Sequence, residues 1–475
     1  MKKNGRKIYM IGIKGVGMTT LAQFLTAAGD FVSGSDISET FMTDKVLKSL
    51  RIKINSPFDK NNLPTDADLI IHSIAYTAEN NSEMKALAGK DVSLNKTRLV
   101  SYSEALGEVF SAHQGVAVCG SHGKTTTSAW LGYVLWKSGK KPNVLVGSSV
   151  PQFKGSGLQG KSKLFIAEAD EYGNKLKYLQ AQGIVLNNID YDHPDFFKTE
   201  ADYVKVFTDF IKRLPETGFL VINNRDQATR KIKKYCHGRI ASYDIADEDY
   251  SNETVNYLAY NLKIENGIQI FSVNNLGEFK IKLWGKHNIF NALAVIAAAR
   301  ELKVSISDIK KYLLSFTGTE RRGQVLGKYQ DAILIDDYAH HPTEIQTTIE
   351  GVRAHYPGKR LRVVFHPHTF TRTKALFKDF ATSFPKAHEL IVLDIYGSAR
   401  EKQGGVSSSQ LVKAIESFNN KNKIKQQVLN VKDIAAAVSY LRSSIKDDEV
   451  ILLMGAGDVF RVGEELLCLK KKKLK

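Results

Sequence analysis

Short apolar runs alternate with amphipathic stretches along most of the chain, and this alternation predicts an α/β fold. Near the start, the apolar run 7–11 is followed by the turn GIKGVG and then by Met18, Leu21 and Leu25 at helical spacing. The pattern is typical of a strand that enters a helix through a tight turn. Asp36 closes the next predicted strand, where a Rossmann-like unit places the acid that binds a ribose.

A second unit of the same kind begins with the apolar run 116–119 and continues through the loop GSHGKTTT. The helix that follows has apolar residues on one face, and Gly139 is predicted to end it. Further elements are predicted downstream, with strands at 164–167, 184–186 and 219–222 and a helix at 203–214.

The stretch 254–283 has a different pattern, because Asn-Gly at 266–267 and Asn-Asn at 274–275 divide it into short β-like runs. We predict a β-meander there that decorates the α/β core. An alanine-rich helix at 288–302 follows, and we expect this domain to close near Gly318.

From Asp331 the alternation resumes, with strands predicted at 332–335, 361–365, 390–395 and 450–454. The length of 475 residues also exceeds what one hydrophobic core usually serves. We therefore predict three α/β domains: a Rossmann-like domain at 1–103, a central phosphate-loop domain with a mostly parallel sheet and a small β-meander at 104–318, and a C-terminal Rossmann-like domain at 319–475.

Composition narrows the class of protein. Hydrophobic residues make up 43% of the chain and charged residues 25%, which is ordinary for a soluble globular protein. Three widely spaced cysteines fit neither a disulfide framework nor a zinc cluster, so a reducing cytoplasm is expected. No apolar run reaches the roughly 18–20 residues that span a bilayer, and Lys14 interrupts the stretch that superficially resembles a signal peptide. Neither membrane insertion nor export is expected.

The net charge of +17 raises the question of a nucleic-acid surface. The basic residues are dispersed, however, and part of the excess comes from the lysine-rich end at 470–475, which we interpret as a solvated tail. Nucleic-acid binding is therefore not expected. A generally basic surface would suit polyanionic nucleotide substrates.

The loop 120–127 carries the strongest chemical signal. Glycines between a strand and a helix let backbone amides close around phosphate oxygens, and the helix N-terminus adds positive charge. Lys124 would neutralise the β- and γ-phosphates, and Thr125 could ligate Mg²⁺. Val118 occupies the place of the first glycine in the usual G-x-x-x-x-G-K-[ST], yet the strand-loop-helix setting favours nucleotide binding over a structural turn.

Three carboxylates follow the predicted strand 164–167, at Glu168, Asp170 and Glu171. Open α/β sheets bind ligands at the carboxyl ends of their strands, and Mg²⁺ beside a phosphate loop needs oxygen ligands. Glu168 is therefore our candidate Mg²⁺ ligand. His193, which follows the next apolar strand, could complete a metal or phosphate site. A solvated acidic loop and a structural histidine are the alternatives.

Other loops give weaker signals. Gly12-x-x-Gly15-x-Gly17 is not the G-x-G-x-x-G fingerprint, although its glycines allow a close approach to a pyrophosphate; a tight turn explains it nearly as well. In the last domain, the polar loops 336–342 and 366–372 follow two successive predicted strands, which indicates one shared site. The alternative is that these Asp and Thr residues only cap helices. That alternative would explain one polar loop, but it explains two poorly.

Together the motifs resemble those of the Mur ligases, in the order GIKGVGM, GSHGKTTT, EADE, NNIDYDHPDFF, HNIFNALA, TERRGQ, DDYAHHPTEI and HPHTFTRT. The resemblance covers nearly the whole chain, and eight motifs in sequence order are highly specific. It implies that the three domains serve a UDP-sugar, ATP and an amino acid in turn, and that they close around a reaction at their junction.

The resemblance also implies a reaction. ATP would phosphorylate the lactyl carboxylate of UDP-N-acetylmuramate, and L-alanine would attack the acyl phosphate to form an amide in a peptidoglycan precursor. HPHTFTRT and LDIYGSARE favour the alanine-adding branch over a rival that attaches a recycled tripeptide to the same sugar nucleotide. An alternative from another class is a nucleotide-binding regulatory or nucleic-acid-associated protein that makes no bond.

The matching motifs imply roles for particular residues. Lys124, His193 and Arg372 would be catalytic. Mg²⁺ would be held by Thr125, Glu168 and His193. ATP would be contacted by Gly120, Ser121, His122, Gly123, Lys124, Thr125, Thr126, His287, Asn291, Arg321, Asp336 and Asp337. The amino acid would be contacted by Tyr338, His340 and Arg372, and the UDP-sugar by Gly15, Gly17, Met18, Asp36 and Ser73. A cytoplasmic monomer or homodimer is expected.

Overall fold

The computed structural model describes residues 5–41, 43–89, 97–248, 250, 253–397 and 403–473. Within these ranges the chain forms three α/β domains, each built around its own, mostly parallel sheet. The predicted fold class is confirmed. Among the described residues, no helix combines the length and hydropathy that a membrane-spanning segment needs.

The N-terminal domain is a parallel sheet with helices on its faces. Its strands are β1 (Lys7–Ile11), β2 (Phe31–Ser35), β3 (Lys53–Asn55), β4 (Leu69–His72) and β5 (Arg98–Ser101). Its helices are α1 (Val16–Ala27), α2 (Asp44–Ser49), α3 (Ser82–Ala88) and α4 (Tyr102–Ser111), with a 3₁₀ turn at Lys60–Asn62. The strand order is β3-β2-β1-β4-β5. As the spacing predicted, α1 buries Met18, Leu21 and Leu25 against this sheet.

The central domain contains the largest sheet. Its strands are β6 (Gln114–Cys119), β7 (Asn143–Val150), β8 (Gly155–Leu158), β9 (Leu164–Glu168), β10 (Gly183–Leu186), β11 (Phe219–Asn223), β12 (Arg239–Ile245), β13 (Tyr257–Glu265), β14 (Ile268–Val273) and β15 (Gly277–Ile281). Its helices are α5 (Lys124–Lys137), α6 (Glu200–Lys212), α7 (Gln227–Ile232), α8 (Lys286–Glu301) and α9 (Ile306–Ser315). Three 3₁₀ segments lie at Pro151–Phe153, Tyr172–Tyr178 and Lys233–Tyr235.

The strand order of the central sheet is β15-β14-β13-β12-β11-β10-β6-β9-β7-β8. The predicted meander is present as β13, β14 and β15, but it extends the main sheet because β13 pairs in parallel with β12. Its Phe271 and Phe279 join the same hydrophobic core as the alanine-rich α8. Burial of these aromatic rings explains why the meander continues the sheet instead of standing apart from it.

Helix α5 differs from the amphipathic helix that its sequence predicts. Residues on all its sides are buried, because α8 and α9 pack over it while its other side covers the sheet. Trp130 stacks on Phe316, with ring centroids 5.4 Å apart. The helix ends at Lys137, and Gly139 follows with a φ of 82°, as the sequence predicted.

The C-terminal domain contains the strands β16 (Gln324–Tyr329), β17 (Ala332–Asp337), β18 (Arg360–Phe365), β19 (Glu389–Leu393), β20 (Gln427–Val431) and β21 (Glu449–Met454). Its helices are α10 (Pro342–His355), α11 (Phe370–Ala375), α12 (Phe377–Ala381), α13 (Ser408–Lys421), α14 (Ile434–Ser444) and α15 (Phe460–Lys473). The order is β16-β17-β21-β18-β19-β20, with only β16 antiparallel among these strands. Residues 398–401 of LDIYGSARE and the tail at 474–475 lie outside the described residues.

Candidate active site

Two cavities meet at residues 120–127, which we call the phosphate loop. The larger, of about 560 Å³, lies between the central and C-terminal domains. The smaller, of about 350 Å³, lies where all three domains meet, and we call it the junction cavity. Gly123 and Thr125 of the loop line both cavities, as do Arg322 and Glu344 of the C-terminal domain. A ligand that fills the larger cavity can therefore present one end to a second ligand in the junction cavity.

The phosphate loop connects β6 to α5 with the geometry of an anion site. Gly120 and Gly123 have φ angles of 123° and 79°, a region that favours glycine. A Cβ atom at Gly123 would lie 2.5 Å from Asn291 Oδ1, so a side chain at this position would clash. Among the described residues, no side chain caps the N-terminus of α5, which leaves its first amides available to a phosphate.

Lys124 is held as a cation at the centre of this loop. Its Nζ donates to the carbonyl oxygens of Gly120 at 2.5 Å and Ser121 at 3.1 Å, and lies 3.0 Å from Glu171 Oε2. Burial alone would lower the pKa of Lys124, but nearby carboxylates, Glu171 foremost, raise it. The side chain is therefore charged and lies at the N-terminus of α5, where a phosphate would bind.

Two of the three predicted Mg²⁺ ligands are already in contact. Thr125 Oγ1 donates to Glu168 Oε1 at 2.8 Å, and the other carboxylate oxygen of Glu168 accepts from the Gly147 amide at 2.5 Å. A hydroxyl and a carboxylate beside the phosphate loop are oxygen donors of the kind that Mg²⁺ prefers. Thr125 and Glu168 therefore fit a magnesium ion, which would supply positive charge beside a bound phosphate.

His193, the third predicted ligand, also lines the junction cavity. Its Nε2 lies 3.6 Å from Glu171 Oε1. Burial lowers the pKa of His193, but the Glu171 carboxylate and then Asp192 outweigh this effect and raise it. Ligand atoms of Asp170, Glu171 and His193 lie within 4.8 Å of one another. Asp170 and Glu171 are thus further candidate ligands, and their sequence signals were the EADE motif and their place after the predicted strand 164–167.

Tyr338 and His340 approach the junction cavity from the C-terminal domain, opposite Gly17 of the N-terminal domain. His340 Nδ1 lies 2.9 Å from the Tyr338 carbonyl oxygen, so we assign the ring proton to Nδ1 and an acceptor lone pair to Nε2. Burial, together with Arg372, lowers the pKa of His340 to about 3. His340 is therefore a neutral hydrogen-bonding group near neutral pH.

Arg372 makes an ion pair across the domain boundary. Its Nε lies 3.2 Å from Asp192 Oδ1, and both residues are buried. Burial would raise the pKa of Asp192, but Arg372 lowers it strongly. The guanidinium predicted to bind the amino-acid carboxylate thus already faces a carboxylate of the central domain.

His122 of the phosphate loop links the same two domains. Its Nε2 lies 2.9 Å from Asp190 Oδ2 and its Nδ1 lies 3.2 Å from Glu344 Oε1, while Thr343 donates to Asp190 at 2.8 Å. Burial lowers the pKa of His122, but its hydrogen bonds to Asp190 and Glu344 outweigh burial and raise the pKa to about 10. An imidazolium between two carboxylates therefore joins the loop to α10.

The larger cavity is lined by His287 and Asn291, which were predicted to lie near an adenine. Asn291 Oδ1 accepts from Thr127 Oγ1 at 3.2 Å, which anchors α8 to the first turn of α5. Burial lowers the pKa of His287 to about 4, so the imidazole is neutral. A neutral ring and an amide in a partly apolar cavity are suited to a nucleobase.

The two arginines of TERRGQ have different surroundings. Arg321 pairs with Asp336 at 3.2 Å and donates to the Gly455 carbonyl at 2.8 Å, and within the described structure neither Arg321 nor Asp336 lines the two cavities. Arg322 lines both cavities instead. Its position in the motif, next to Arg321, was the only sequence signal that could have selected it.

The five residues predicted for the UDP-sugar follow β1, β2 and β4 along the chain, and two of them lie in the first turn of α1. Parallel sheets bind ligands at the carboxyl ends of their strands. The five residues are Gly15, Gly17, Met18, Asp36 and Ser73. Of these, only Gly17 lines the junction cavity, where a Cβ atom would lie 2.6 Å from the Tyr102 hydroxyl. The edge of this domain therefore opens toward the phosphate loop.

Two of these residues are engaged within the N-terminal domain itself. The Met18 side chain is buried in the domain core. Asp36 is also buried, and its carboxylate accepts from the Lys14 amide at 2.7 Å and from the Ile37 amide at 2.8 Å. Asp36 therefore shapes the glycine-rich turn, and a sugar contact by its side chain stays a prediction.

Comparison with known proteins places the chain in a family. Residues 7–114 match the profile described as "Mur ligase family, catalytic domain", residues 118–299 match "Mur ligase middle domain", and residues 321–457 match "Mur ligase, glutamate ligase domain". The chain belongs to the Mur ligase family.

Two relatives of nearly the same length share the name UDP-N-acetylmuramate–L-alanine ligase. A UDP-N-acetylmuramate–L-alanine ligase of Desulfitobacterium hafniense is 36% identical, over 97% of this chain and 99% of the relative. Its counterpart in Caldanaerobacter subterraneus is 35% identical, over 98% of each chain. The crystal structure of UDP-N-acetylmuramate-alanine ligase MurC from Thermotoga maritima has a TM-score of 0.80 at 22% identity, covering 98% of this chain and 100% of that one. The murein peptide ligase of Psychrobacter arcticus shares the fold, with a TM-score of 0.71 at 22% identity and 98% coverage of both chains.

Proposed function

We propose that this protein is an ATP-dependent ligase that joins L-alanine to the lactyl carboxylate of UDP-N-acetylmuramate, through an acyl phosphate, to make a peptidoglycan precursor. The observation that carries the proposal is the junction cavity, in which the phosphate loop faces side chains from all three domains. Full-length relatives named for this activity support the choice of substrates.

The geometry suits transfer of a phosphoryl group between two substrates. ATP would occupy the larger cavity with its adenine near His287 and Asn291, and its γ-phosphate would reach Thr125, which lines both cavities. A carboxylate is inert to amines until one of its oxygens becomes a leaving group, and phosphorylation achieves this. Lys124, already cationic, stabilises the charge that develops on the transferred phosphoryl group.

Thr125, Glu168 and His193 would hold Mg²⁺ in this scheme, since a hydroxyl, a carboxylate and an imidazole surround the end of the phosphate loop. When bound, the ion neutralises phosphate charge and fixes the direction of transfer. Lys124 carries the remaining positive charge that the γ-phosphate needs.

The amino acid would enter from the C-terminal domain. Arg372 can bind its carboxylate bidentately when it exchanges Asp192 for the substrate. Because Nδ1 of His340 is engaged by the Tyr338 carbonyl, its Nε2 is free to accept a hydrogen bond from the amine. These two contacts orient the nucleophile toward the acyl phosphate. We place the reaction in the cytoplasm, where both nucleotide substrates are available, and expect a monomer or homodimer.

Phosphate release tests the proposal. The assay contains ATP, Mg²⁺ and UDP-N-acetylmuramate, with either L-alanine or L-alanyl-γ-D-glutamyl-diaminopimelate as the acceptor, and omission of the UDP-sugar is the control. We expect release that requires both the UDP-sugar and L-alanine. Release only with the tripeptide would assign the protein to cell-wall recycling. Substrate-independent ATP hydrolysis would contradict ligase activity altogether.

A further inference from the structure

The junction cavity contains a second lysine that the proposed mechanism does not use. Lys175 lines this cavity, and its side chain is 20% exposed. Its Nζ forms an ion pair with Asp170 and lies 5.4 Å from the centre of the Tyr172 ring. Lys175 does not line the larger cavity, so it faces the part of the site that the proposed mechanism assigns to the second substrate.

An unusual backbone turn positions this side chain. Lys175 belongs to the 3₁₀ segment Tyr172–Tyr178, in which Gly173 and Asn174 have φ angles of 68° and 54°. Two successive left-handed residues reverse the chain locally, and Asn174 adopts this conformation without the freedom of glycine. The turn returns Lys175 toward Asp170 and the cavity, whereas Lys177, two residues later, is exposed.

Charge explains what a second lysine contributes here. The reaction brings the carboxylate of one substrate against the γ-phosphate of another, so two anions must approach each other. Carboxylates of Glu168, Asp170 and Asp192 also line the cavity. Lys124 is occupied by the phosphate loop and Glu171. Arg322 also lines the cavity, and the proposed Mg²⁺ would serve the phosphates, so Lys175 adds a cation that is available on the side of the attacking carboxylate.

Lys175 remains available to a substrate despite its pairing with Asp170. The Asp170 side chain is 44% exposed, and ion pairs in contact with water are weak. An ammonium group has three donors, so it can hold Asp170 and a substrate carboxylate together. Asp170 itself is oriented by the Tyr172 amide, which donates to Oδ1 at 3.0 Å. Asp170 thus presents the ammonium to the cavity.

We propose that Lys175 is a substrate-binding residue that holds the lactyl carboxylate of UDP-N-acetylmuramate before phosphoryl transfer. The proposal deepens the proposed function and depends on it for the identity of the substrate. In this proposal Lys175 binds the carboxylate of the UDP-sugar, while Lys124 stabilises the charge on the γ-phosphate.

The test compares Lys175→Met and Lys175→Arg with the control Lys177→Met, which removes an exposed lysine of the same segment. For Lys175→Met we expect the KM for UDP-N-acetylmuramate to rise by about 10-fold or more. The KM values for ATP and L-alanine should stay close to those of the wild type. Lys175→Arg should recover part of the loss because it keeps the charge, and Lys177→Met should behave as the wild type.

Calorimetric binding isolates the carboxylate. UDP-N-acetylglucosamine lacks the lactyl group, so the ratio of its Kd to that of UDP-N-acetylmuramate measures recognition of that group. We expect Lys175→Met to lose most of this preference, at an unchanged midpoint of thermal unfolding. An unchanged preference, or a rise in the KM for ATP alone, would overturn the proposal. If the wild type fails to ligate any acceptor, the proposed function fails, and the calorimetric ratio still decides the role of Lys175.

Discussion

Replacing Lys124 with alanine is expected to abolish turnover while the fold is kept, and to lower stability for a separate reason. Lys124 stabilises charge in the transition state, and loss of one such group typically lowers kcat by at least about 100-fold. The same side chain is also the cationic partner of Glu171, which is 1% exposed. Its removal therefore leaves a buried carboxylate without its cation.

The structure sets the size of the stability loss. Breaking a buried ion pair costs about 3–5 kcal/mol when the remaining charge has no other partner. Glu171 keeps the Tyr203 hydroxyl at 3.0 Å and His193 at 3.6 Å, so the carboxylate stays partly satisfied. We therefore expect Lys124→Ala to lower the free energy of unfolding by roughly 1–3 kcal/mol.

Two assays separate these effects. Urea unfolding of the wild type, Lys124→Ala, Glu171→Gln and the double variant measures the coupling between the two residues. The double variant should recover most of the stability lost in Lys124→Ala, because no buried charge remains, but phosphate release should stay absent. Near-normal activity of Lys124→Ala would refute the site assignment, and additive stability losses would refute the role of the ion pair.

Three further predictions follow from the site. Glu168→Gln should raise the Mg²⁺ concentration for half-maximal phosphate release by at least about 10-fold, and an unchanged Mg²⁺ titration would remove Glu168 from the metal site. Arg372→Lys should raise the KM for L-alanine by about 10-fold, because a lysine cannot bind a carboxylate bidentately; an unchanged KM would exclude this contact. His122 has a folded pKa of about 10, above its ordinary value of 6.5, so the stability that it adds is fully present below about pH 6.5 and is lost as the pH rises through 10. The difference in thermal midpoint between the wild type and His122→Gln should therefore shrink as the pH rises from about 6.5 to about 10 and be lost above that pH. A difference that stays constant over this range would contradict the ionic role.

Local patterns were sufficient to predict where the segments of the candidate site that are continuous in sequence lie in the fold. The phosphate loop is a strand, a glycine turn and a helix in succession, so Lys124 and Thr125 could be assigned before any tertiary contact was known. Glu168 was predictable for a similar reason, because it is the last residue of β9, at the edge where parallel strands present ligands.

Long-range pairing could not be read from the sequence in the same way. Asp192 and Arg372 are 180 positions apart, and nothing in either motif shows that they meet. Arg321 and Arg322 are adjacent, but their side chains reach different surroundings, which only the backbone direction decides. Lys175 enters the junction cavity because of two left-handed residues that have no periodic pattern.

Residues 187–193, which follow β10, contact both the phosphate loop and the C-terminal domain. In this segment, Asn188 holds the His122 amide at 2.8 Å, and Asp190 and Asp192 meet Thr343 and Arg372 of the C-terminal domain. In the proposed mechanism, the nucleotide and the amino acid would therefore bind on the two sides of a single segment. Thermodynamic linkage then requires that any factor by which ATP changes the affinity for the amino acid equals the factor by which the amino acid changes the affinity for ATP.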